Sequence, residues 1–339
     1  MVRRVAERSP GPGRRAAPAI VALLCAGCAP VAASPARADE SGSIDSVDAE
    51  LTALSGDVTA TQRATFRAVL EDTIGKDSYA CQPSPRAVFF GPAPEGERLI
   101  VGEMPHYGFF FGPMRYRVRR SSQGAGARWA VKVTLAIDPP AFHGDLELPD
   151  CGLVREIGGD EGRCSGTPYS ASPKTEACPG SGSFAITATP GHVRALLARW
   201  SREAERYYTR DARAFGLPID YDFELVLADE APELSADLRV PLSPTCGRTP
   251  YFTAFRSGWS LPIVAHEVGH VLGLLDEYEA FSGLSPLYPK TPFPGAEVSR
   301  MGLSMREGTR VLPLHHYLIL RRYFCAEPKG GGFWGAPPL

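Results

Sequence analysis

The residues best suited to chemistry lie in one short stretch, His266-Glu267-Val268-Gly269-His270. Two histidines four residues apart are one helical turn apart, so on a helix both imidazoles face the same side and can bind one metal ion. Glu267 follows the first of them, where a carboxylate reaches beyond the metal to a bound water without being a ligand itself, as a general base must. With 7 histidines in 339 residues, this pentapeptide arises by chance in roughly one such chain in a hundred. Its continuation is more specific: Gly273 stands where the helix must end and turn sharply, and Asp276 follows three residues later.

A helix must carry these groups. Ser260 can cap it, Pro262 falls in its first turn, and Val264, Val268, Leu272 and Leu275 supply apolar faces that bury it. Before it, Val193, Leu196, Leu197 and Trp200 repeat at helical spacing, Phe223 to Leu227 reads as a strand, and Tyr251 to Phe255 as a second with poor alternation. Further upstream, Arg98 to Val101, Met114 to Val118 and Trp129 to Ile137 are β-rich, with a turn between Ser121 and Gly126. A helical pattern from Ile44 to about Asp72, with Thr61 as the candidate N-cap of its stretch Gln62 to Leu70, precedes them. The chain is therefore expected to be α+β, with a β-rich N-terminal domain over 39–185 acting as accessory or pro-domain. A metal-bearing domain over 186–327 and a tail over 328–339 follow it.

The overall composition places this chemistry. With 44% hydrophobic residues the chain can bury a real core, and its net charge of -2 gives no general attraction to nucleic acid or an anionic membrane. Residues 1–38 read as a signal peptide: Arg3, Arg4, Arg14 and Arg15 precede an apolar run too short to span a bilayer, and Ala36-Arg37-Ala38 fits a cleavage site. Cys25-Ala26-Gly27-Cys28 resembles a bacterial lipobox, which makes Cys28 a candidate for lipidation and a lipid anchor the one route to a membrane. Six cysteines remain, Cys81, Cys151, Cys164, Cys178, Cys246 and Cys325, an even set that could close three disulfides outside the cytoplasm. Export to the periplasm, cell surface or medium is expected.

The run from His266 to Asp276 reads H-E-x-x-H-x-x-G-x-x-D and resembles the metzincin metallopeptidases, with aspartate in place of their usual third histidine. The resemblance implies a mixed-sheet catalytic domain, one catalytic zinc held by His266, His270 and Asp276, and Glu267 as acid/base. It also implies a methionine-bearing turn beneath the metal, for which Met301 is the choice and Met305 the alternative. Asp276-Glu277-Tyr278 is also similar to a segment of the bacterial immunoglobulin-A peptidases; Glu277 is the rival third ligand. Three protein ligands leave one zinc position open for water, the arrangement of a catalytic site.

Downstream, His316 and Tyr317 are candidates to reach the substrate cleft and stabilise an oxyanion, against the simpler reading of a helix from Leu314 to Tyr323 with exposed histidines. The expected function is an exported zinc endopeptidase acting on peptides or proteins. The alternatives are a surface binding module with a secondary or inactive peptidase domain, and a zinc amidase acting on cell-wall peptides.

Overall fold

The computed structural model of the chain describes residues 42–325 except 57–58, 78, 80, 93–94, 107–109, 122–127, 140–144, 159–183, 232–235, 248, 278–294 and 303–304. The expected leader with Cys28, the tail, and the middle of the cysteine-rich stretch lie outside the described residues. Those that are described form an α+β structure with seven α-helices and a mixed sheet, all within one unit spanning 38–339. No helix among them is long and apolar enough to cross a membrane.

Three helices open the described chain, α1 (Ile44–Leu54), α2 (Ala60–Lys76) and α3 (Pro85–Phe90). The helical pattern expected from Ile44 to about Asp72 is broken at Gly56, whose φ of 65° leaves the helical region. Thr59, not Thr61, then caps α2: its hydroxyl accepts from the Gln62 amide while the Gln62 side chain accepts from the Thr59 amide. That reciprocal box satisfies two donors at once, which Thr61 could not do.

The sheet is organised around β3 (Arg128–Asp138). One edge of β3 pairs in parallel with β6 (Ile219–Leu227) over its length. The other edge is shared, by β2 (Phe110–Ser121) antiparallel along its first half and by β7 (Leu238–Ser243) in parallel at its end. β1 (Gly96–His106) forms a long hairpin with β2, and β8 (Phe255–Arg256) extends the sheet beyond β7. Because β3 pairs with both β6 and β7, the boundary expected at residue 185 does not divide the sheet. A separate antiparallel pair, β4 (Asp145–Leu148) and β5 (Phe184–Thr187), flanks α4 (Cys151–Glu156).

Alternation sets which face is covered. Along β6, Ile219, Tyr221, Phe223, Leu225 and Leu227 are buried while Asp220, Asp222 and Glu224 point the other way. The buried face receives α5 (Pro190–Ala214), which packs on β6 and on α6 (Leu261–Val271), and α6 also meets β2. The opposite face is charged, with Lys132 bridging Asp222 and Glu224 at 3.2 and 3.4 Å.

The N-terminal helices are pinned to the last one, α7 (Pro313–Arg321). The Tyr317 hydroxyl donates to the Pro83 carbonyl at 2.8 Å, and Cys81 is disulfide-bonded to Cys325 across 244 residues. Cys151 and Cys246 are also in disulfides.

Candidate metal centre

α6 begins with Ser260 in an extended conformation and Pro262 in the first turn, where a missing amide proton leaves no bond unmade. Every residue from Pro262 to Val271 is buried, so this is a core helix and its histidines cannot fan out into solvent. Gly273, at φ 84°, ends it: the Gly273 amide donates to the His270 carbonyl and the Leu274 amide to that of Gly269, both at 2.9 Å. This paired reversal satisfies two terminal carbonyls and folds the chain back over the last turn. A side chain at Gly273 would also strike Met114 and the Arg322 guanidinium.

The reversal brings Asp276 to the two histidines. His266 Nε2 lies 3.1 Å from His270 Nε2, and Asp276 Oδ1 lies 3.1 and 3.2 Å from the two nitrogens. Zinc bonds of about 2.0–2.2 Å at tetrahedral angles place ligand atoms about 3.3–3.5 Å apart, so this triangle is slightly tighter than the spacing of one bound ion. The other ring nitrogens decide what faces the centre. His266 Nδ1 meets the Arg300 carbonyl at 2.9 Å and His270 Nδ1 the Leu274 carbonyl at 2.7 Å. A carbonyl only accepts, so each Nδ1 carries the proton, and in the neutral rings both Nε2 lone pairs face the Asp276 oxygen. Three electron-rich atoms so close repel one another unless a positive charge joins them.

The electrostatics agree. Burial works against a charged His270, but the Asp276 carboxylate, and more weakly Glu267, outweigh it and hold its pKa up at about 9. At His266 burial wins and the pKa is lowered. Asp276 is fully buried, yet the charge of His270 and the bonds from both imidazoles keep it well below the carboxylate range.

Glu267 is 6% exposed, and one of its carboxylate oxygens lies in the same small cluster as His266 and His270. Beside it stands Tyr251, expected within a strand but found in a turn. Its ring stacks on His270 at 5.9 Å and 21°, and its phenol is held far above its usual pKa by burial and then by the charge of Glu267. The phenol donates to the Pro113 carbonyl at 2.6 Å, across a space that any side chain at Gly112 would fill. Tyr251 thus forms a wall of the site that no spacing in the sequence announces.

Met301 lies directly beneath α6. A Cβ on Gly269 would fall 2.6 Å from its sulfur, so the glycine between His266 and His270 makes room for it. The preceding residue, Arg300, supplies the carbonyl that orients His266, and Ser299 Oγ accepts from the Met301 amide at 3.1 Å. Met305, the alternative, has φ 33° and also sits in the core. Glu277 is turned away from the histidine pair and bonds His315 instead, at 2.7 Å.

His316 and Tyr317 do not face a cleft. Both are fully buried: His316 Nδ1 is hydrogen-bonded to the Tyr221 phenol at 2.6 Å, and Tyr317 bonds Pro83. α7 is enclosed on all sides, so its histidines are buried and not exposed. Burial, then repulsion from His315, pushes the His316 pKa down to about 3. A folded pKa below the unfolded value of about 6.5 means that its contribution is complete above pH 6.5 and is lost as pH falls toward 3, at about 1.4 kcal/mol per unit. His316→Asn, whose side chain can still bond the Tyr221 phenol, is therefore expected to flatten the fall of melting temperature between pH 6.5 and 4. Parallel curves for variant and wild type would remove His316 as the responsible group.

Comparison of the chain with protein-family models, with curated proteins and with solved structures finds no match.

Proposed function

We propose that the chain is an exported, metzincin-like zinc peptidase that hydrolyses peptide bonds with Glu267 as general base and acid. One observation carries this reading: the two Nε2 atoms and Asp276 Oδ1 converge within 3.2 Å while both Nδ1 atoms are bound to carbonyls. The donor set of two imidazoles and one carboxylate suits zinc and leaves a coordination position for water. Bound zinc would polarise the scissile carbonyl and acidify that water.

The chain's own residues do the rest. Glu267 takes the proton from the attacking water and delivers it to the leaving amine, so one carboxylate serves both halves of the reaction. As zinc ligands His266 and His270 would be neutral, and the backbone carbonyls that accept their Nδ1 protons fix the orientation of both rings. Tyr251 and Met301 hold the centre from two sides, which keeps the ligand atoms close to one geometry. Export is supported by the leader pattern and by the Cys81–Cys325 disulfide, a bond at home in an oxidising compartment.

The test is hydrolysis by the purified protein of a broad peptide library and of cell-wall cross-link peptides, with a zinc chelator and with zinc restored. Cleavage that the chelator stops and zinc restores is the expected result. The library arm and the cell-wall arm tell a peptidase from an amidase. Binding of zinc with no cleavage in either arm would overturn the enzymatic reading and favour a binding module.

A further inference from the structure

His266 and His270 are fixed by α6 itself, but Asp276 stands beyond the helix, on chain that has already reversed. What holds it there is the next residue. The Glu277 amide donates to the Met301 carbonyl at 2.9 Å, tying the segment to the turn under the metal centre. Its side chain is 1% exposed, and Oε1 lies 2.7 Å from His315 Nε2 at the start of α7. His315 Nδ1 accepts from the Leu312 amide at 2.9 Å, so in the neutral ring Nε2 bears the proton and donates to Glu277. Ser299 Oγ, which accepts from the Met301 amide, is 3.4 Å from the same Nε2. Glu277, His315, Ser299 and Met301 therefore close a ring joining the reversal, the turn and α7.

Asp276 faces the two ligand histidines while Glu277 faces His315, so two adjacent carboxylates are sorted to opposite sides. A carboxylate this deeply buried is costly unless it is paired, so His315 determines which way Glu277 turns. We propose that the His315–Glu277 pair is the positioning device that presents Asp276, and excludes Glu277, as the third metal ligand. This inference rests on the metal-centre reading. His315 and Glu277 are positioning residues: they act through Asp276 and touch neither metal nor substrate.

The experiment measures zinc affinity of the full chain by chelator competition, together with the visible spectrum of the cobalt-substituted protein. His315→Phe is expected to weaken zinc about 10- to 100-fold, the range found when groups orienting a ligand are removed, and to shift the cobalt bands. Glu277→Ala removes a buried charge instead of stranding one, breaks the same link, and should weaken zinc by a similar factor even where His315→Phe folds poorly. His315→Gln, which can donate to Glu277, should recover most of the affinity. In an Asp276→Ala background the His315→Phe effect should vanish, because the pair then has no ligand to position. Folded His315→Phe and Glu277→Ala proteins that bind zinc as the wild type does, with unshifted cobalt bands, would overturn the inference while leaving the metal centre intact. A wild-type chain that binds no zinc would overturn the metal-centre reading and this inference with it.

Discussion

Glu267→Gln is expected to reduce peptide hydrolysis by about 10²- to 10⁴-fold, the usual contribution of a positioned general base, while zinc binding is unchanged. The substitution keeps the shape of the side chain and removes its ability to accept a proton. Glu267 is nearly buried in the cluster with His266 and His270, and its charge is one cause of the raised pKa of the Tyr251 phenol. It is therefore close to the proposed reacting centre, whereas the proposed ligand set of His266, His270 and Asp276 does not include it. Steady-state kinetics and zinc content measured on the same sample check both halves. Turnover within a few-fold of the wild type would take Glu267 out of the chemistry.

The second large effect is structural. Arg322→Met should lower stability by about 3–5 kcal/mol, the range for removing one partner of a buried ion pair. The Arg322 side chain is fully buried and performs two tasks. Its Nη1 and Nη2 donate to the Leu272 and Gly273 carbonyls at 2.9 and 3.0 Å, closing the C-terminal end of α6. Its Nε donates to Asp77 at 2.7 Å, in the chain just after α2. Burial alone would raise the Asp77 pKa, but Arg322 and Arg321 together lower it. Removing Arg322 thus leaves two carbonyls at the metal helix without their donor and reduces the compensation of Asp77. Thermal melting of the variant should show a drop of about 5–8 °C, taking an unfolding entropy of about 2.1 cal/mol/K per residue over roughly 300 residues. A drop of only a degree or two would mean that α6 is held by its apolar packing alone.

The sequence makes the local parts of this site legible. Histidines at i and i+4, a glutamate between them and a glycine at the helix end follow from the geometry of one helix, and Gly273 indeed takes a positive φ. The long strand β3 and the helix α5 are legible for the same reason, since their apolar residues repeat at the period of the element. What is not legible is contributed across the fold. The Arg300 carbonyl that orients His266 comes from 34 residues away, and a backbone carbonyl leaves no mark on residue type. Tyr251 lies in a turn whose apolar residues imitate a strand. β7 contains Pro241, which argues against a strand when read alone, yet Pro241 aligns with Asp138 at the end of the ladder, where a missing donor is tolerated. His315 and His316 look like the polar side of an amphipathic helix; α7 has no polar side, because α1, α2 and α3 pack against it. Asp276-Glu277 hints at tertiary design, but residue type alone leaves open which carboxylate faces the histidines.

The most direct measurement is the zinc content and the position of zinc in the metal-loaded protein, determined by elemental analysis and by anomalous X-ray scattering from a crystal. One zinc per chain is expected, coordinated by His266 Nε2, His270 Nε2 and an Asp276 carboxylate oxygen, and lost when His266 and His270 are both replaced by alanine. A protein that takes up no zinc, or one whose zinc survives that replacement, would contradict the metal-centre reading.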